Sequence, residues 1–229
     1  MENGKNEEIE RKFLIEEANL PDLSRQVYMD IVQGYPNTVE NSSLVYRLRQ
    51  VLHMSPTNSF LGEQYFQTIK GHGFKKRPEF ETELLIKQFN ELWPLCETIV
   101  LNKKRYVLPL PEYAGIKMHL DIYKNCLKGL YTVEVEFKTE EDCDAFIPPT
   151  WFGMELSEDS RFTNVQLAMK GLDPIIGHGF TWKCVDCGTE FLEKNPHLCI
   201  NGDQNAKPNF VFSPSKYGRN KYYEPWERK

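Results

Sequence analysis

Charged residues recur at every second position through a series of strand-like segments, and this alternation limits the folds open to the chain more than any other feature. Glu8, Glu10 and Lys12 share one parity in EIERKFLI, Arg47 and Arg49 in LVYRLRQVL, and Arg77, Glu79, Glu81 and Glu83 in RPEFETELLI. The spacing continues with Lys70 closing QYFQTIK, Lys103 and Arg105 within 97–107, His119 and Asp121 within 116–124, Glu134 and Glu136 within 130–138, and Glu155 in WFGMELS. A two-residue period puts each set on one face of a β-strand. In an open sheet that face would meet solvent; in a closed barrel it would line an ionic bore. The opposite parity mixes apolar and polar side chains, among them Tyr46, Leu48, Phe80, Thr82, Val133 and Val135. Both faces therefore have work to do, which favours a barrel packed on its outside and charged within. So many inward charges are tolerable only with a ligand that neutralises them.

Other segments fill in an α+β pattern. Residues 27–33 read as a strand ending at Gly34-Tyr35-Pro36, and 151–157 as a last strand carrying Glu155. Helices are expected at 22–27, 84–95, 140–146 and 162–170, the third stopped by Pro148-Pro149. After Gly171 the chain becomes rich in Gly, Pro, Asn and aromatics without sustained periodicity, so two regions are expected, 1–171 and 172–229.

Composition narrows the function. No run of eighteen apolar residues is present, so no membrane-spanning helix is expected, and the charged N-terminus does not resemble a signal peptide. Six cysteines in that context fit a reducing, cytoplasmic setting. A net charge of −5 argues against nonspecific nucleic-acid binding as the main activity. Within the bore, the cations suit a polyanion, since Arg and Lys match phosphate oxygens. The carboxylates suit Mg²⁺ or Mn²⁺, hard cations that bridge phosphates. A small-molecule triphosphate is the partner this combination implies.

The motifs resemble those of the CYTH, or triphosphate tunnel metalloenzyme, superfamily. Glu8-Ile9-Glu10-Arg11-Lys12 is similar to its ExExK signature in the form found in short bacterial tripolyphosphatases. Further segments follow in the family's order over about 165 residues, among them Tyr46-Arg47-Leu48-Arg49, Thr68-Ile69-Lys70, Arg77-x-Glu79-x-Glu81, Lys103-Lys104-Arg105, Leu120-Asp121-Ile122, Glu134-Val135-Glu136 and Trp151-Phe152-Gly153-x-Glu155. The resemblance implies an eight-stranded antiparallel β-barrel forming a triphosphate tunnel with flanking helices. It implies that Lys12, Arg47, Arg49, Lys70, Arg77, Lys103 and Arg105 grip phosphates. By the same carry-over, Glu8, Glu10 and Glu136 bind the main metal, Mg²⁺ or Mn²⁺, and with Lys12 form the catalytic set. Glu81, Asp121, Glu134 and Glu155 complete the metal's water shell or support a second metal. One departure stands at Met118-His119, where the family often has a Trp and an acidic residue; His119 is either a structural hydrogen-bonder, the commoner role of a lone His, or a contact to phosphate.

The resemblance implies metal-dependent hydrolysis of a nucleoside triphosphate or inorganic tripolyphosphate. The alternative is a nucleotidyl cyclase of the class IV adenylyl cyclase type, and a third reading is a silent binder of triphosphate ends. The full set of carboxylates counts against a pure binder. In the extension, Cys184, Cys187, His197 and Cys199 have spacing suited to a structural Zn²⁺, and a region so poor in aliphatics would gain from one. Phe210, Phe212, Tyr217, Tyr222, Tyr223 and Trp226, interleaved with Lys216, Arg219 and Lys221, either dock the tail onto the barrel or stack a base.

Overall fold

The computed structural model describes residues 7–36, 44–71, 73, 75–113, 115–172 and 175, together with the backbone of 180–184, 190–191 and 210–214. Eight strands form one closed barrel: β1 (Glu7–Leu14), β2 (Tyr28–Gly34), β3 (Val45–Met54), β4 (Phe60–Lys70), β5 (Lys76–Leu84), β6 (Leu101–Pro109), β7 (Lys117–Tyr123) and β8 (Tyr131–Phe137). Their order around the barrel is β1-β5-β4-β3-β2-β6-β7-β8, with every neighbour antiparallel and β8 closing on β1. Closure leaves no exposed sheet edge. The helices are α1 (Ile86–Leu92), α2 (Glu140–Ala145) and α3 (Asn164–Lys170). Strands β9 (Phe180–Cys184), β10 (Glu190–Phe191) and β11 (Phe210–Pro214) make a separate three-stranded sheet. No helix among the described residues is long and apolar enough to cross a membrane.

Register carries the charged parity from strand to strand, because directly opposed residues share a face. Glu8 stands opposite Arg77, Glu10 opposite Glu136 and Lys12 opposite Glu134. Further round, Lys70 opposes Glu79, Arg47 opposes Thr68, and Arg105 opposes Asp121. All of these point inward. The outward residues of β1, Ile9 and Phe13, are nonetheless buried, because α2 and the chain after it cover that side of the barrel. Phe13 packs on Phe146 and Phe152 at centroid distances of 6.2 and 5.1 Å, within the range of favourable tilted aromatic pairs.

One end of the barrel is sealed. Leu14, Tyr35, Leu101, Tyr123 and Leu130, at or just beyond strand ends, pack with Leu156, Phe162, Leu167, Ala168, Leu172 and Ile175 into a continuous core. The chain from Leu156 through α3 thus caps this end. Thr163 caps α3, its hydroxyl accepting from the Gln166 backbone N–H. Leu172 and Ile175 belong to the same core, so packing on the barrel runs a few residues past Gly171.

Three expected elements differ. Residues 22–27 are not helical; a single 3-10 turn lies at Glu17–Asn19, and Asp22 accepts the Ser24 backbone N–H at 2.9 Å. A side chain that bonds the backbone two residues on stabilises a turn at the expense of a helix. Residues 151–157 do not form a strand of the barrel either. They lie beside the upper half of β1, where β5 has already left it, with Leu14 N–H bonded to Met154 O at 2.8 Å and Leu156 N–H to Lys12 O at 2.7 Å. Gly153 is required there: a Cβ would come 2.6 Å from the Leu14 carbonyl oxygen. The expected helix at 84–95 divides into α1 and a 3-10 turn at Trp93–Leu95, where Pro94 cannot donate to the helical ladder.

Candidate active site

The open part of the bore is a cavity of about 380 Å³, large enough for a small polyanion. Its lining includes five fixed cations, Arg47, Arg49, Lys70, Arg77 and Arg105, and six carboxylates, Glu8, Glu10, Glu79, Glu81, Glu134 and Glu136. Every cation already faces a carboxylate. Lys70 Nζ lies 2.8 and 2.6 Å from the two Glu8 oxygens, and Arg77 reaches Glu8 at 2.9 Å and Glu10 at 2.5 Å. Arg49 meets Glu81 at 2.6 Å, while Arg47 donates to Thr68 Oγ1 at 2.9 Å and to Glu81 at 3.1 Å. Arg105 pairs with Glu134, and His119 Nδ1 stands 3.3 Å from Glu136.

The charge balance of this lattice is uneven. Burial pushes the Glu8 carboxyl up, but Lys70 and Arg77 outweigh it and hold its pKa down at about 2. Glu10 goes the other way: burial and the nearby Glu134 and Glu8 push it up to about 7. A carboxylate in that state calls for another cation. Burial and the neighbouring Arg47 pull Arg49 down to about 10, and its Nε has no hydrogen-bond partner. Arg49 calls for another anion. Arg47 Nε is likewise unpartnered.

Lys12 donates from Nζ to the Phe162 carbonyl at 3.0 Å and sits 3.2 Å from Glu134, and it is as accessible as Arg47 and Arg105. Beneath the lining lies an enclosed pair, Lys103 and Asp121, 1% and 0% exposed and 2.6 Å apart. Lys103 and Asp121 are therefore not part of the cavity wall, although sequence parity groups them with it. Burial drives Lys103 down to about 7 against the pull of Asp121.

Most of the expected residues come together. Glu8, Glu10, Glu81, Glu134, Glu136, Arg47, Arg49, Lys70, Arg77 and Arg105 line one cavity. Glu155 does not join them. It bridges to Phe13, which points outward, so Glu155 also points outward. There it holds Arg11 in a bidentate pair at 2.9 and 2.7 Å, while Arg11 Nη1 donates to the carbonyls of Cys143 and Phe146. Its expected metal role is thereby replaced by a structural one on the outside of β1. Cys184 lies at the end of β9, while Cys187, His197 and Cys199 lie outside the described residues.

Several lining residues were given no site role from the sequence, although Glu79 stands in the charged parity. Glu79 is 3.2 Å from Lys70 and 3.5 Å from Arg47. Met29, Ile31, Val51 and Phe66 give one stretch of wall an apolar surface, with His53 and Gln64 hydrogen-bonded to each other at 2.8 Å beside it. Their parity was available, but uncharged inward residues look like ordinary core in a sequence. Thr68, fully buried, bridges Arg47 and Glu81 at 2.9 and 2.8 Å.

The donor set suits a hard divalent cation: oxygen ligands alone, and one carboxylate, Glu10, short of positive charge. As they stand, the carboxylates answer to the bore's own cations, and no three ligating groups converge among the described residues. Metal binding would exchange some of these partners.

A closed antiparallel barrel whose bore holds interlocked guanidinium, ammonium and carboxylate groups is a tunnel for a polyanion and its counter-cations. No family model matches the chain. It is 40% identical over 162 residues to an inorganic triphosphatase of Nitrosomonas europaea, covering 71% of this chain and 97% of that protein. It is 27% identical to an inorganic triphosphatase of Acetivibrio thermocellus, over 70% of this chain and 92% of the relative. A crystal structure of an inorganic triphosphatase aligns with 38% identity over 71% of this chain and 94% of that one, at a TM-score of 0.49. The chain belongs to the CYTH, or triphosphate tunnel metalloenzyme, superfamily.

Proposed function

We propose that this protein is a divalent-metal-dependent triphosphatase that hydrolyses inorganic tripolyphosphate or a nucleoside triphosphate inside the barrel. The observation that carries this reading is one cavity walled by five cations and six carboxylates that are paired with one another. A triphosphate with a divalent metal offers anionic oxygens to the cations and positive charge to the carboxylates. The names of the two relatives support the same substrate class.

The cap at the Leu156–Ile175 end leaves the opposite end as the way in. Arg47, Arg49, Lys70, Arg77 and Arg105 are placed to take phosphate oxygens in exchange for their present carboxylate partners. Bidentate guanidinium contacts fix orientation as well as charge. Lys12, 3.2 Å from Glu134, joins these cations in gripping phosphate, and Lys103, one layer deeper, adds positive potential. Water attacks a terminal phosphorus, the bridging P–O bond breaks, and inorganic phosphate and pyrophosphate leave when tripolyphosphate is the substrate. A bound Mg²⁺ or Mn²⁺, held by Glu8, Glu10 and Glu136 with Glu81 and Glu134 in support, would polarise the phosphoryl oxygens and neutralise developing charge. The protein's own share is to position the chain of phosphates and to keep the site enclosed.

The test is product analysis. Incubation with tripolyphosphate and Mg²⁺ or Mn²⁺ is expected to yield phosphate and pyrophosphate, and incubation with ATP to yield phosphate and ADP. Cyclic AMP and pyrophosphate from ATP would instead establish the cyclase alternative.

The extension carries a separate proposal, a structural Zn²⁺ held by Cys184, Cys187, His197 and Cys199. It rests on their spacing in the sequence alone. A cytoplasmic, reducing setting is proposed as well, in line with the free thiols of Cys96, Cys126 and Cys143.

A further inference from the structure

Asp121 is a carboxylate of the inner parity that does not line the cavity. It is 0% exposed, and both its oxygens are taken from within the protein. Arg105 donates from Nε to Oδ1 at 2.7 Å and from Nη2 to Oδ2 at 2.6 Å, a fork-on-fork pair, and Lys103 Nζ donates to Oδ2 at 2.6 Å. Three charged donors thus hold this one carboxylate, two on Oδ2 and one on Oδ1. Arg105, by contrast, lines the cavity and reaches Glu134 with the same Nη2 that Asp121 holds. The register explains the arrangement: Asp121 stands directly opposite Arg105 on the adjacent strand, within the flat reach of a guanidinium.

The family resemblance places Asp121 in or near the metal's coordination sphere. We infer instead that Asp121 is a positioning residue for the phosphate-gripping wall, acting through Arg105 and Lys103 and not on the metal. A guanidinium has five donors on a plane, and fixing the Nε–Nη2 edge from behind determines which way the remaining Nη1 edge points. The carboxylate also keeps two adjacent buried cations, Arg105 and Lys103, from facing each other uncompensated. Asp121 thereby sets the orientation of one phosphate-binding group before substrate arrives, which lowers the ordering cost of binding.

This inference rests on the proposed triphosphate site, and the experiment separates the two. Tripolyphosphate binding is measured by calorimetry in the presence of a chelator, so that no metal contributes, and Mn²⁺ binding is measured without substrate. Melting temperatures are recorded alongside. For Asp121→Asn the expected result is tripolyphosphate affinity lower by at least about tenfold, with Mn²⁺ affinity within about twofold of the parent. A general loss of structure would lower both, so the split is the signature of positioning. Mn²⁺ binding weakened as strongly as in Glu10→Gln, or unchanged metal-free tripolyphosphate affinity, overturns the inference. Should Asp121→Asn not fold, the double variant Lys103→Met with Asp121→Asn removes the cation that loses its partner. It is then compared with Lys103→Met alone, with the same split expected and the same results overturning it. If the parent protein itself fails to bind tripolyphosphate, the proposed function falls and not merely the role of Asp121.

Discussion

Glu10 and Glu136 stand directly opposite each other on β1 and β8, both facing into the barrel, with Glu134 two residues along the same strand. Like charges in directly opposed positions destabilise a sheet pair. Arg77 reaches Glu10 at 2.5 Å, yet burial first, and then Glu134 and Glu8, still push Glu10 up to about 7. A place that disfavours a charged carboxylate in this way is one where an added cation is strongly stabilised.

This sets a pH dependence for the metal-free protein. The folded pKa of Glu10, about 7, lies above its ordinary 4.5, so the folded state binds the proton more tightly than the unfolded chain. The contribution of Glu10 to stability is complete below about 4.5 and is lost as pH rises through about 7, for a total of up to roughly 3 kcal/mol. Denaturant melts with chelator present should show the parent losing stability relative to Glu10→Gln between about pH 5 and pH 8. Added Mg²⁺ should restore the parent at the upper end. A parent-to-variant difference that stays constant across this range would refute the argument.

Replacing Glu8 and Glu10 together by Gln should lower turnover by at least about a hundredfold. Tripolyphosphate should still bind, because Arg47, Arg49 and Arg105 remain. Steady-state kinetics and calorimetry on the same preparation would check this, and turnover surviving the double change would show the metal assignment to be wrong.

Arg49 offers a test in the other direction. Burial and Arg47 disfavour its charge even with Glu81 at 2.6 Å, so Arg49→Met should cost little stability, measured as melting temperature. The same change should weaken tripolyphosphate binding by about 10- to 100-fold, the worth of one charge-assisted contact. An unchanged affinity would exclude Arg49 from the phosphate wall.

Glu155→Gln should leave the metal-concentration dependence of activity as it is. The bidentate pair with Arg11 is partly exposed, and its weakening should cost about 0.5–1 kcal/mol, visible as a small drop in melting temperature. A shifted Mg²⁺ requirement would return Glu155 to the metal site.

Much of this was legible beforehand. All eight barrel strands overlap segments read as strands, most of them marked by alternating charges, and helices at α1, α2 and α3 follow from helical periodicity and stop signals. Glu8, Glu10, Arg47, Arg49, Lys70, Arg77, Arg105, Glu134 and Glu136 were identified by parity and motif order, and they line one cavity. What parity could not convey is depth. Lys103 and Asp121 share the inward face with the lining residues but are enclosed, at 1% and 0% exposed, towards the end that the chain from Leu156 onward caps. Nor could parity assign Glu155, whose segment pairs with β1 through a single bridge opposite an outward residue.

The sequence by itself determined that alternate charged residues would share faces, because a strand's two-residue period is a local property of the backbone. That much named the tunnel's wall and, by resemblance, its chemistry. Only the tertiary structure decided which charges meet which. Strand stagger brings Glu8 beside Lys70 and Arg77, residues more than sixty positions away, and it turns Asp121 onto Arg105 and Glu155 onto Arg11. Ion-pair partners depend on closure, register and depth, and these are properties of the whole barrel rather than of any one strand.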